Sequence, residues 1–116
     1  MEFQERLNSL LKNIEGAEGI ALAGLDGISI ESQSSGPDMT HIGAEYAVLL
    51  NDAKRAAMDL NLGEIQRFSV LTDRRHLHFS LLKSDYFLSI VVQNRGNWGE
   101  TRYQLRRKVG DIEEEL

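Results

Sequence analysis

The chain contains no cysteine. Disulfides and thiolate metal sites are thereby excluded, and a reducing, cytoplasmic setting is the default expectation. Only one proline, Pro37, interrupts 116 residues, and no Gly/Pro/Ser-rich linker divides them, so a single domain spanning 1–116 is expected. No stretch approaches the roughly 20 consecutive apolar residues that a bilayer-spanning helix requires. The opening MEFQERLNSLLKN mixes acids into its first residues and lacks an apolar centre, so it does not read as a signal peptide. Excess positive charge is missing too. The net charge of -5 gives no electrostatic footprint for nucleic acid and none for direct membrane insertion.

What is present is a long helix-forming stretch at residues 39–60, MTHIGAEYAVLLNDAKRAAMDL. It carries no proline and one glycine, and it is rich in Ala, Leu, Glu and Lys, which hold a helix at little entropic cost. As a helix it would run roughly 33 Å. At helical spacing, Ile42, Tyr46, Leu49, Ala53, Ala56 and Leu60 form one apolar stripe, expected to bury on a sheet. Beside it lies a second stripe of mostly small residues, Gly43, Ala47, Leu50, Ala57 and Met58, broken by Lys54 and extended by Ala44 and Val48. A helix apolar over so much of its girth is buried on two sides within its own chain or against another chain.

The remaining elements read in order. Phe3, Leu7, Leu10, Leu11 and Ile14 recur at helical spacing, and Gly16 stops that helix. Two short runs, at 20–23 and 28–32, flank a Leu25-Asp26-Gly27 turn and predict a hairpin. Either Pro37 opens the long helix or Asp38 caps it. Gly63 offers a left-handed stop at its end. Strands follow at 65–71, 76–82 and 86–92. The turns between them, Thr72 to Arg75 and Lys83 to Asp85, are short enough to force antiparallel neighbours. The last strand, YFLSIVV, is apolar on both faces and should lie centrally. A final helix starts at an Asn97 cap with Glu100 three residues on; Tyr103, Leu105 or Val109, Ile112 and Leu116 lie towards one side, and Gly110 weakens its middle. The order helix, two strands, long helix, three strands, helix defines an α+β fold: a five-stranded antiparallel sheet with helices on both faces.

The GIALAGLDGISIES hairpin, the Ala-rich helix ending in LNLGEI and the NWGETRYQLRR start of the last helix together resemble the roadblock family of dynein light-chain-like proteins, which includes the bacterial MglB-type regulators. In bacterial members the last element reads Asn-Leu-Gly-x-x-Arg-x-x-Leu-Arg/Lys. Here Asn97, Gly99, Arg102, Leu105 and Arg106 match, and Trp98 replaces the Leu. The resemblance covers nearly the whole chain. It implies a homodimer whose long helices pack together and whose third strands pair edge to edge, binding a Ras-like small GTPase or serving as a scaffold, with no enzymatic activity and no cofactor. On that basis Gly43, Ala47, Leu50 and Ala57 are expected at the seam, with Ile65, Arg67 and Ser69 on the paired strand. Ala44, Val48, Asn51, Lys54, Arg55 and Met58 are expected to face the partner.

Other constellations read blandly. His76 and His78 share a strand face, the spacing of a two-His metal site, but nothing marks further ligands beyond His41 or scattered carboxylates. Serines and histidines occur without a nucleophile-elbow context. The glycines of GAEGIALAGLDG do not open a helix after a strand, so they form no phosphate cradle. Arg74-Arg75 reads as a solvated turn rather than an arginine finger, and Arg102, Arg106, Arg107 and Lys108 as a solvated helix face. A ligand-sensing module of the profilin or PAS type shares the layered architecture, but it needs a pocket where this chain is dense in Leu, Ile, Val and Phe.

Overall fold

The computed structural model describes residues 3–94 and 98–114. Its elements are α1 (Phe3–Asn13), β1 (Ala17–Gly24), β2 (Ser29–Ser34), α2 (Met39–Asp59), β3 (Arg67–Leu71), β4 (Arg75–Leu81), β5 (Tyr86–Gln93) and α3 (Trp98–Glu114), with a 3-10 turn at Lys83–Asp85. All strand pairs are antiparallel and the sheet order is β2-β1-β5-β4-β3. The apolar β5 is central, as its two-faced pattern requires. β2 and β3 are the edges.

Local chemistry sets the element ends. Asp38, not Pro37, caps α2: its carboxylate accepts the His41 amide at 3.1 Å. α2 stops earlier than Gly63, at Asn61, which adopts φ 59° while the Leu62 and Asn61 amides donate to the Ala57 and Met58 carbonyls. That is a Schellman motif with Asn in the left-handed position. In the β1–β2 turn, Gly27 takes φ 89° and Asp26 Oδ1 accepts the Ile28 amide, so the Asp-Gly signal forms the hairpin. Residues 62–66 are irregular, so Ile65 precedes β3 rather than belonging to it. Gly110 neither ends nor interrupts α3. The Asn97 cap and Leu116 lie outside the described residues.

Strand alternation sorts the core into two layers. Ile20, Leu22, Leu88, Ile90 and Val92 point to one face, where Leu7, Leu10 and Ile14 at the α1 end and Leu105 and Ile112 from α3 cover them. Tyr103, expected on that inner side, is instead about half exposed at 51%. The opposite face presents Ala21, Ala23, Phe79, Phe87 and Val91 to α2. Small residues on β1 let α2 approach closely: a Cβ on Gly19 would meet Met39 Sδ at 2.5 Å. α2 therefore lies over the β1–β2 side of its face. The β4–β3 side is left with a thinner roof, and Phe68, Val70, Leu77 and Leu81 are only partly buried there.

Candidate interaction surface

The face of α2 that meets its own sheet is the small-residue stripe. Gly43, Ala47 and Leu50 are buried, Leu50 completely, and Ala47 and Leu50 pack with Ala23, Phe79 and Phe87. This corrects the expected seam. Side chains already covered within the protomer have no surface left to bury against a second copy. The physical reason is the close approach just described: β1 offers Gly and Ala, so the matching helix face is the one with small residues. Ala57 is intermediate in exposure, on the margin of the same stripe.

The other stripe, expected on the sheet, turns towards the thin roof over β4 and β3. Ile42 packs beside Leu77, and the Tyr46 ring lies 4.9 Å from the Phe79 ring, which in turn sits 6.3 Å from Phe68 on the edge strand. Further along the same flank, burial runs out. Leu49 is 49% exposed and Leu60 69%, with Ala56 exposed between them. β3, at the end of the sheet away from β1 and β2, has no neighbouring strand on its outer edge among the described residues. The protomer thus leaves an apolar strip on α2 and an open row of backbone hydrogen-bonding groups on β3. Arg67 and Ser69 stand on the opposite face of β3 from Phe68 and Val70, and both are exposed.

β3 is tied to β4 by side chains as well as by its ladder. Ser69 Oγ lies 3.0 Å from His78 Nδ1. His78 is 4% exposed, and its burial, with the nearby His76 and Arg102 charges, pulls the imidazole from its ordinary 6.5 to about 4. It is neutral at neutral pH. The His76 ring stands 6.1 Å from it, edge-on, with Nε2 2.7 Å from Asn94 Oδ1. No group of three or more candidate metal ligands occurs among the described residues.

The outward side of α2 carries the expected partner-facing residues, and their roles divide. Ala44, Val48, Arg55 and Met58 are exposed, Val48 by 63% and Met58 by 70%. Asn51 uses its amide within the chain, donating to the Leu25 carbonyl at 2.8 Å and the Ala47 carbonyl at 2.9 Å, which pins α2 to the β1–β2 turn. Lys54 reaches Asp85 at 3.4 Å, and Arg55 is paired with Asp52. Lys54, Met58 and Ile65 line one side of an open groove of about 660 Å³ whose far wall includes Val109 and Glu113 of α3.

Arg75 does not sit in a solvated turn. It opens β4, and its Nε donates to Glu18 Oε1 on β1 at 2.8 Å, across the end of β5. The hydrogen bond holds Glu18 below the usual carboxylate range and raises Arg75. No sequence signal couples positions 18 and 75; only the strand order brings them together.

An α+β layer fold with helices on both faces of an antiparallel sheet, an open edge strand and a half-covered long helix, is the class this geometry defines. The Roadblock/LC7 domain profile matches residues 3–94, and the chain belongs to that family. No protein of curated function matches the sequence significantly. Among solved structures, a Roadblock/LC7 domain from Streptomyces avermitilis superposes with a TM-score of 0.90 at 17% identity, covering 100% of this chain and 98% of that one. MglC from Myxococcus xanthus is 32% identical over 100% of both chains, with a TM-score of 0.72. MglB from the same organism aligns at 18% identity with a TM-score of 0.85, covering 98% of this chain and 96% of that one.

Proposed function

We propose that the protein is a non-enzymatic homodimer that regulates or positions a Ras-like small GTPase. Membership of the Roadblock/LC7 family supports the class of function, and the likeness to MglC across the full length supports a bacterial regulatory setting. The observation that carries the dimer is that two features are left unfinished in the protomer: the Leu49–Ala56–Leu60 flank and the open edge of β3. A second copy related by a two-fold axis would complete both at once, joining the sheets through β3 and covering the flanks with one another. The seam is then Ile42, Tyr46, Leu49, Ala53, Ala56 and Leu60, with Arg67 and Ser69 on the joined strand. A relative described as MglB with a tetrameric arrangement is consistent with self-association in this fold.

The outward side of the paired α2 helices forms the platform for the GTPase, with Val48 and Met58 as apolar contacts and Ala44 and Arg55 beside them. A platform that binds one conformation of the switch loops more tightly shifts the partner towards that conformation by its differential affinity, without covalent chemistry. A cytoplasmic location belongs to the same proposal. Pure scaffolding is the second reading, and one observation favours it. Asn51, Lys54 and Arg55 are engaged within the chain, so the platform offers mainly apolar surface, which suits a constitutive assembly as well as a switch.

Pull-down on the immobilised protein from source-cell lysate loaded with GDP or with a non-hydrolysable GTP analogue separates the two. Nucleotide-dependent recovery of a small GTPase, lost in the Val48→Glu variant, supports regulation. Recovery of none under either nucleotide moves the assignment to the scaffold.

A further inference from the structure

The sheet has a second open edge, β2, which the dimer and GTPase proposals leave unused. The Ser35 amide donates to the Glu18 carbonyl at 2.9 Å and the Gly24 amide to the Ile28 carbonyl at 3.0 Å, while Ile20 and Leu22 stand opposite Gln33 and Glu31. Antiparallel bonding alternates, so Gln33 and Glu31 turn their amides and carbonyls to β1. Ser32 and Ser34 turn theirs outward, where no strand follows among the described residues. β2 carries none of the lysines or prolines that commonly blunt such an edge. A bulge beside Leu22 and Ala23 adds a residue to the strand, and Ile28 and Ile30 at the turn end stand 67% and 43% exposed. They line an open cavity of about 570 Å³ together with Asp26, Asp85 and Tyr86. The charged residues of the hairpin, 17–35, are Glu18, Asp26 and Glu31, with no Lys or Arg. Arg75 holds Glu18, and Lys54 lies 3.4 Å from Asp85, but Asp26 and Glu31 have no basic partner among the described residues. On α1, which packs against β2, Arg6 is already engaged, and Lys12 lies in the last turn, at the end where β1 begins rather than at the hairpin turn.

We propose that the β2 edge takes a basic extended segment of a partner protein as a further strand of the sheet. The backbone groups of Ser32 and Ser34 supply the hydrogen bonds of strand addition. Specificity comes from the cavity, where a Lys or Arg of the segment lays its aliphatic stem on Ile28 and Ile30 and its charge beside Asp26. Charge selects this occupant over a second copy. Two β2 hairpins paired with each other would set acid against acid, with no base on either to offset it. The same sign turns away nucleic acid and anionic lipid. The inference rests on neither the dimer nor the GTPase reading, because β2 is the edge of the sheet opposite β3.

The test uses the full chain and a fluorescent peptide of about ten residues that alternates valine or threonine with lysine or arginine, a pattern that favours an extended strand. One control peptide carries glutamate in place of every base. The other keeps the bases but is methylated on the backbone nitrogens of its central residues, which removes its hydrogen-bond donors and leaves its charge intact. By fluorescence anisotropy the basic peptide should bind about tenfold or more tighter than either control, and added salt should weaken it. The D26N/E31Q variant should bind it several-fold more weakly; asparagine at 26 still accepts the Ile28 amide and keeps the turn. Ser32→Pro removes an outward donor without touching a bond to β1, and should weaken binding about tenfold with the circular dichroism of the parent retained. If that variant does not fold, the methylated peptide and D26N/E31Q carry the test. Equal binding of the methylated and unmethylated peptides, or binding unchanged in both variants, would overturn the proposal. So would a Ser32→Pro chain that loses self-association in sedimentation velocity yet binds the peptide as the parent does, since the edge would then belong to a second copy.

Discussion

Leu49 and Leu50 are neighbours in sequence with opposite fates, and the difference makes a test. Leu50 is fully buried between α2 and the sheet. Leu50→Ala leaves a cavity within the protomer and should cost about 2–5 kcal/mol of folding stability, whatever the oligomeric state. Leu49 keeps 49% of its surface exposed in the lone chain, so burying the remainder at a seam is worth about 1 kcal/mol per copy, or roughly 2 kcal/mol per dimer. Leu49→Glu removes that gain and places a carboxylate without a partner in the seam, at a further cost of a few kcal/mol. The dimer dissociation constant should rise by at least about a hundredfold, which corresponds to about 2.7 kcal/mol. Protomer stability should change little, because the site is half open in the lone chain. Sedimentation velocity over a dilution series measures the first quantity, and chemical denaturation of the dissociated chain measures the second. If Leu49→Glu dimerises as tightly as the parent, or if Leu50→Ala dissociates the dimer without destabilising the fold, the assignment of the two helix faces is wrong.

Gly43→Ala should raise the stability of the chain by up to about 1 kcal/mol, since Ala is the better helix former and its Cβ would meet Ala23 Cβ at an ordinary 3.7 Å. A Tm that rises with no change in dimer affinity fits this placement; weakened dimerisation would return Gly43 to the seam. The His78 imidazole titrates at about 4 folded against 6.5 unfolded, so the unfolded chain binds the extra proton between those values. Stability should therefore be fully present above pH 6.5 and should fall as pH drops towards 4, at up to about 1.4 kcal/mol per pH unit from this group. Urea titrations of the parent and of His78→Asn across that range check it: the variant's curve should be flatter, and parallel curves would remove His78 as the cause.

The fold was largely legible because its signals are local. The Asp26-Gly27 turn, the two-faced YFLSIVV strand and the alternation of Phe68 and Val70 each fix an element without reference to distant residues. The faces of α2 were not legible, for a physical reason. Both of its stripes are apolar, and which one meets the sheet depends on what β1 presents, namely Gly19, Ala21 and Ala23. Small residues on a strand select small residues on the helix above them, and a helical wheel drawn from α2 alone cannot contain that information. The same holds for Tyr103, whose outward direction follows from α3 seating Thr101, Leu105 and Ile112 inward. The helix stop at Asn61 is subtler: Gly63 is the stronger left-handed candidate by residue type, yet the Leu62 amide reaches the Ala57 carbonyl two residues earlier.

The account rests on a second copy completing the sheet at β3 and covering the open flank of α2. Because the chain has no cysteine, single substitutions Arg67→Cys, Phe68→Cys, Ser69→Cys, Val70→Cys and Leu71→Cys report on that contact without background. In a two-fold antiparallel pairing of β3 with itself, centred within the strand, one of these five positions faces its own copy across the joint at a distance a disulfide spans. Mild oxidation followed by non-reducing electrophoresis should show a covalent dimer from at least one β3 position and none from Tyr103→Cys on the far face. A chain that stays single at every β3 position under oxidation would contradict the account.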